Sequence, residues 1–102
     1  MPRYFTEELL RRLRNDIPWP MLLKELDWPH KVRLGQLAFV CPRCREYRSA
    51  VNSRTNLGRC FWCDRNFNPI EFTMAVQDCD FVAAVRYLKP LLARVPSRSA
   101  AP

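Results

Sequence analysis

Between Thr6 and Asn15, Leu9, Leu10 and Leu13 recur at the three- and four-residue spacing of one helix face, and Ile17 continues the stripe. Thr6 stands where an N-cap belongs, and Glu7 and Glu8 suit the positive end of the helix dipole. Pro18 and Pro20 break the pattern. Pro20 can open a second short helix with Met21, Leu22, Leu23 and Leu26 facing inward, closed by Trp28-Pro29, with Trp19 and Trp28 packing at its two ends. From Leu37 the period shortens. Leu37 to Val40 reads as a strand, and Tyr47 to Asn52 and Leu57 to Phe61 flank the polar turn Ser53-Arg54-Thr55-Asn56, which predicts a β-hairpin. Asn68-Pro69-Ile70-Glu71 places Asn at the N-cap, proline at the first helical position and Glu three residues on, the signature of a capping box. The helix it opens runs to about Gln77 with Ile70, Phe72 and Met74 inward, beside Phe67. Asp80 caps a last helix through Lys89, with Phe81, Ala84, Val85 and Leu88 on one face, and Pro90 ends or kinks it.

Helices, then a small antiparallel β unit, then helices define an α+β fold. The chain divides into an N-terminal helical segment (1–36), a β unit with its C-terminal helices (37–92) and a flexible tail (93–102), in one compact domain overall. At 102 residues the core is modest and an added staple helps it. Four cysteines supply one. Cys41, Cys44, Cys60 and Cys63 follow the spacing C-x2-C-x15-C-x2-C, in which two tight turns facing each other across a hairpin can aim four thiolates at one tetrahedral Zn²⁺. The expected fold is thus a zinc ribbon flanked by helices. Four sulfur ligands leave no open position, so the zinc is expected to be structural, not catalytic. Disulfides and a rubredoxin-like iron site are the rivals, the second at odds with the surrounding arginines. Cys79 is left over as a small buried hydrophobe, and His30 lies too far from the pattern to be a ligand. No stretch approaches a membrane span, and the charged N-terminus does not read as a signal peptide, so the expected compartment is the cytoplasm, where thiols stay reduced.

Charge then changes the picture. The chain carries +7, and 14 of its 17 basic residues are arginine, whose planar fork grips phosphate and stacks on bases. Arg43, Arg45, Arg48, Arg54 and Arg59 lie within the cysteine segment against Glu46 alone, a formal +4, and Arg65 follows it. Four thiolates with Zn²⁺ contribute −2, so part of this charge offsets the cluster and the remainder is free to meet phosphates. Tyr47 and Trp62, interleaved with the arginines, are candidates to stack unpaired bases, whereas Phe39, Phe61 and Phe67 are expected in the core. The carboxylates are scattered, and no acidic metal cluster for phosphoryl transfer is evident.

Phe39-Val40-Cys41-Pro42-x-Cys44, Cys60-Phe61-x-Cys63, Asn68-x-Ile70-x-Phe72-x-Met74 and Phe81-x-x-Ala84-Val85-x-x-Leu88 together resemble the N-terminal zinc-binding domain of bacterial and phage DNA primases. Phe5-Thr6-Glu7-Glu8-Leu9-Leu10 and Asp16-Ile17 resemble that family's leading helices, so the likeness spans roughly residues 5 to 92. Cys44 stands where the family has a histidine ligand, and Asp64 and Phe67 stand where glycines usually follow the last cysteine. The resemblance implies a module that binds single-stranded DNA template and supports primer synthesis. The catalytic domain or a replicative helicase would be supplied in trans, and a mobile-element origin fits the free-standing form. The alternative is a zinc-ribbon adaptor that docks on a replication protein.

Overall fold

The computed structural model describes residues 5–95. Helices α1 (Glu7–Asn15) and α2 (Trp19–Glu25) lead into five strands, β1 (His30–Arg33), β2 (Gln36–Phe39), β3 (Ser49–Asn52), β4 (Leu57–Cys60) and β5 (Arg65–Phe67). Helices α3 (Pro69–Gln77) and α4 (Phe81–Ala93) follow. The strands form one antiparallel sheet in the order β1-β2-β3-β4-β5, so the fold is α+β as the apolar pattern predicts.

The N-terminal caps of α1, α3 and α4 form where the sequence places them. Thr6 Oγ1 accepts from Leu9 N–H at 3.1 Å, and Asp80 Oδ1 accepts from Ala83 N–H at 2.8 Å. Asn68 and Glu71 make both bonds of a capping box. Each cap satisfies donors that the first turn leaves open, worth about 1 kcal/mol apiece. Helix α4 runs through Pro90 to Ala93 instead of ending there. The missing N–H frees only the Arg86 carbonyl, and Arg86 and Pro90 both face solvent, while the continued turn buries Leu91 and Leu92. Of the tail expected over 93–102, Ala93 is the last residue of α4, and residues 96–102 lie outside the described residues.

Two strands were not expected. β1 falls in the segment read as helical, and its four residues are all exposed, so no alternation of buried and exposed positions marks it. It is held by pairing with β2 from His30↔Phe39 to Arg33↔Gln36. Leu34 (φ 52) and Gly35 (φ 77) close that hairpin, the two left-handed residues of a type I′ turn. A leucine there carries backbone strain of about 1–2 kcal/mol that asparagine or glycine would relieve. β5 is three residues long, too short to leave a pattern.

One aromatic cluster joins the sheet to the helices. Phe72 of α3 lies edge-on to Trp19 (4.8 Å between ring centroids), Phe39 (5.3 Å), Phe67 (6.1 Å) and Trp28 (6.1 Å), and Trp19 stacks on Phe39 at 5.1 Å. Such pairs add about 0.5–1.5 kcal/mol each beyond burial of their area. Leu13, Ile17, Leu22 and Leu23 close the core from α1, α2 and their link, and Val85, Leu88 and Leu91 from α4. The tryptophan N–H groups are paired: Trp19 Nε1 donates to Asn56 O and Trp28 Nε1 to Val40 O. Asn56 (φ 58) in turn donates through Nδ2 to Arg14 O at 2.9 Å and Ile17 O at 3.0 Å, pinning the β3–β4 turn to the α1–α2 link. No helix among the described residues is long and apolar enough to cross a membrane.

Candidate metal centre and the aromatic groove beside it

Strand alternation decides what faces inward at the cysteines. Register places Lys31, Ala38, Ala50, Arg59 and Asn66 on one rung of the sheet, and Phe39, Ser49 and Cys60 on the next, with side chains on the opposite face. Phe39, Ser49 and Cys60 are buried. Each Cys-x-x-Cys turn then reverses through a left-handed residue directly after its second cysteine, Arg45 (φ 64) and Asp64 (φ 57). Asp64 occupies a position read above as one where glycine is usual, and it takes the backbone conformation glycine favours.

The turns bring Cys41, Cys44, Cys60 and Cys63 together, with their sulfurs all within 4.8 Å of one another. Cys41 and Cys63 Sγ are 3.8 Å apart and Cys44 and Cys60 Sγ 3.7 Å. Sulfurs about 2.3 Å from a tetrahedral ion lie about 3.8 Å from each other, whereas a disulfide needs about 2.05 Å. All five cysteines are free. Arg43 N–H points at Cys41 Sγ and Cys63 N–H at Cys60 Sγ, both at 3.3 Å, as donors to thiolates do. The cluster is compatible with a zinc ribbon and forms a possible zinc site. Among the described residues, neither Cys79 nor His30 belongs to it. His30 opens β1 with Nδ1 2.6 Å from Trp28 O, and Cys79 packs against the core.

The thiols differ in acidity. Burial opposes ionisation of Cys60, but the Cys63 N–H, the Ser49 hydroxyl, Cys41 and the Trp62 N–H outweigh it and bring its pKa down to about 6. Ser49 Oγ is buried and meets no partner at hydrogen-bond geometry, yet it lies on the rung with Cys60 and its hydroxyl favours that thiolate. Burial raises the Cys41 pKa, and burial with the three neighbouring thiols pushes Cys63 up to about 12. One thiolate forms readily and the later ones meet its charge. A dication at the centre relieves that repulsion.

Comparison with protein-family models finds no match, and comparison with curated proteins finds none either.

The predicted surface residues separate into groups. Tyr47, Arg48 and Trp62 line one groove of about 460 Å³ with Ala38 at the sheet face. Arg43 and Arg65 border a different cavity, against α3 and Cys79. Arg54 lies on the β3–β4 turn beside Gly35 and Pro20. Arg45 is exposed on the first knuckle, and Arg59 is engaged with Asp64 and with Asn66 Oδ1 at 3.2 Å. Sequence reasoning missed the remaining groove residues: Arg33, Leu34 and Gln36 from the β1–β2 hairpin, Ser49 of β3, and Phe61. Phe61 is exposed, not in the core, because Cys60 takes the inward position beside it.

The rings that line the groove carry cations. Lys31 Nζ lies 4.3 Å from the centre of Tyr47, the Arg48 guanidinium 4.6 Å from Trp62, and the Arg59 guanidinium 6.0 Å from Phe61. Among the described residues, no acidic one lines the groove. Trp62 also borders the shallow cavity at Cys44 and Cys63, so one indole touches both the groove and the open side of the cysteine cluster.

Proposed function

We propose that this protein is a zinc-ribbon module that binds single-stranded DNA template and supports primer synthesis with a catalytic domain or replicative helicase supplied in trans. The observation that carries the reading is the groove: exposed Tyr47, Phe61 and Trp62 with Arg33 and Arg48 and, among the described residues, no carboxylate, set against the cysteine cluster. Unpaired bases stack on such rings while the guanidinium groups meet phosphates, a combination that tolerates many sequences. The likeness of the Cys-Phe-x-Cys turn and its following helices to the primase zinc-binding domain supplies the context of replication. In this reading Cys41, Cys44, Cys60 and Cys63 hold zinc and fix the groove. Tyr47 and Trp62 stack bases and Arg48 contacts the backbone within the groove, while Arg43, Arg45, Arg54, Arg59 and Arg65 lie outside it and could meet only more distant phosphates of a longer strand.

The test is fluorescence anisotropy of short labelled single strands with the zinc-loaded chain across a salt series. Four neutralised phosphates give log affinity against log salt a slope near −3, at about −0.7 for each phosphate. Salt-independent binding, or none, refutes the reading. The exposed Trp62, Phe61 and Leu34 favour one alternative, docking on a replication protein, which predicts retention of that partner without strand binding. Primer synthesis by a candidate catalytic subunit, with and without the chain, then decides whether the module takes part in priming.

A further inference from the structure

The β1–β2 hairpin ends in a combination that stability alone does not explain. Leu34 is fully exposed and its backbone is left-handed, although asparagine or glycine at that place would remove both the strain and the apolar surface. The hairpin is nonetheless paired along its whole length, so its tip is held in place. That tip reaches the groove: Arg33 and Leu34 line it together with Phe61 and Trp62 of the second cysteine turn.

We propose that the hairpin tip is one jaw of a base clamp, with Leu34 packing on an unpaired base that stacks at Trp62 and Arg33 meeting the adjoining phosphate. This rests on the single-strand reading above and adds to it a residue on which base contact depends. Three observations choose a nucleic acid strand over a protein segment as the occupant. Among the described residues, the groove lining is basic and holds no carboxylate. Lys31, the preceding residue on the outer face of β1, extends the charge and lies over Tyr47. Each of the three rings that line the groove holds a cation near one face, and the rings of Trp62 and Phe61 remain largely open to solvent, so a base can take the other face while the cation stays near the phosphates. An isolated apolar tip in so cationic a setting suits a flat ring flanked by anionic linkages.

The clamp is tested with Leu34→Asn, which fits the left-handed turn and deletes the apolar jaw. Its melting temperature and zinc content should match or exceed those of the parent chain. Two probes of equal length are used, an oligothymidylate and an abasic phosphodiester strand that keeps the charges and lacks the bases. Leu34→Asn should weaken oligothymidylate binding by about fivefold or more, the loss expected from re-exposing part of a leucine side chain, and leave abasic-strand binding unchanged. Leu34→Met should bind oligothymidylate as the parent does. An equal loss on both strands overturns the clamp, as does no loss on either. In those cases parent binding with the salt slope given above leaves the single-strand reading standing. If the parent binds neither strand, that reading fails and takes the clamp with it.

Discussion

Gly58 is the place where one methyl group should do most harm. A Cβ added there would lie 2.7 Å from Phe39 Cζ, 2.8 Å from Phe39 Cε1 and 3.0 Å from Trp19 Cη2. None of these atoms belongs to a flexible side-chain end. Phe39 is stacked on Trp19 and lies edge-on to Phe72, and Trp19 is held by its bond to Asn56 O at 3.0 Å. The Gly58 backbone is not left-handed, so alanine meets no backbone strain. By restricting the unfolded chain it would otherwise stabilise by about 0.4–1 kcal/mol. Overpacking reverses the sign. A rigid ring pair that must move by several tenths of an ångström costs about 1–3 kcal/mol, or about 5- to 150-fold in the unfolding equilibrium. For a domain of this size the melting temperature should fall by at least about 4 °C, read by thermal unfolding of the zinc-loaded chain. Gly35→Ala is the control, with nothing within 4 Å of its added methyl and a cost confined to its positive φ. A Gly58→Ala melting temperature equal to or above the parent's refutes the packing account. Because Gly58 and Cys60 share β4 and one face of the sheet, the same shift of Phe39 should reach the cysteine cluster.

Asn56→Ala should lower stability by about 1–3 kcal/mol in denaturant titration, because the Arg14 and Ile17 carbonyls lose their donor. Asn56→Gly keeps the left-handed turn and should recover part of that loss. Zinc binding should release at least two protons per ion at about pH 7.5, measured by calorimetry in buffers of different ionisation enthalpy, since ligation requires thiolates. The raised pKa values of Cys41 and Cys63 keep their protons in place at that pH, whereas Cys60, at about 6, has already lost its own. Apparent affinity therefore climbs as pH rises and falls on acidification, and fewer than two released protons would contradict the assigned ligand acidities.

Much of the frame was legible because it depends on local chemistry. Thr6, Asn68 and Asp80 cap helices through bonds to residues three positions away, and such bonds leave a mark in sequence. The four cysteines were legible for the same reason, since each pair is confined to one tight turn. β1 was hidden because His30 to Arg33 are paired by hydrogen bonds and buried by nothing. The groove was hidden with it, as four of its nine described lining residues come from that hairpin. Phe61 misled because an aromatic residue reads as core until the inward position beside it is known to be taken by Cys60. Which arginines share a surface is a tertiary fact: Arg48 joins Trp62, Arg43 and Arg65 border another cavity, and Arg54 sits at a distant turn.

The three tryptophans divide the molecule into optical layers. Trp19 is 1% exposed within the aromatic cluster, Trp28 is half-buried against β2, and Trp62 is 68% exposed between the groove and the cysteines. The unlabelled chain therefore emits from a dry indole and from a wet one at once. Iodide should extinguish the second and spare the first, and cobalt in place of zinc should dim Trp62 through its proximity to the cluster. A single emission spectrum would then report separately whether the core is intact, whether the metal is seated and whether the groove is filled.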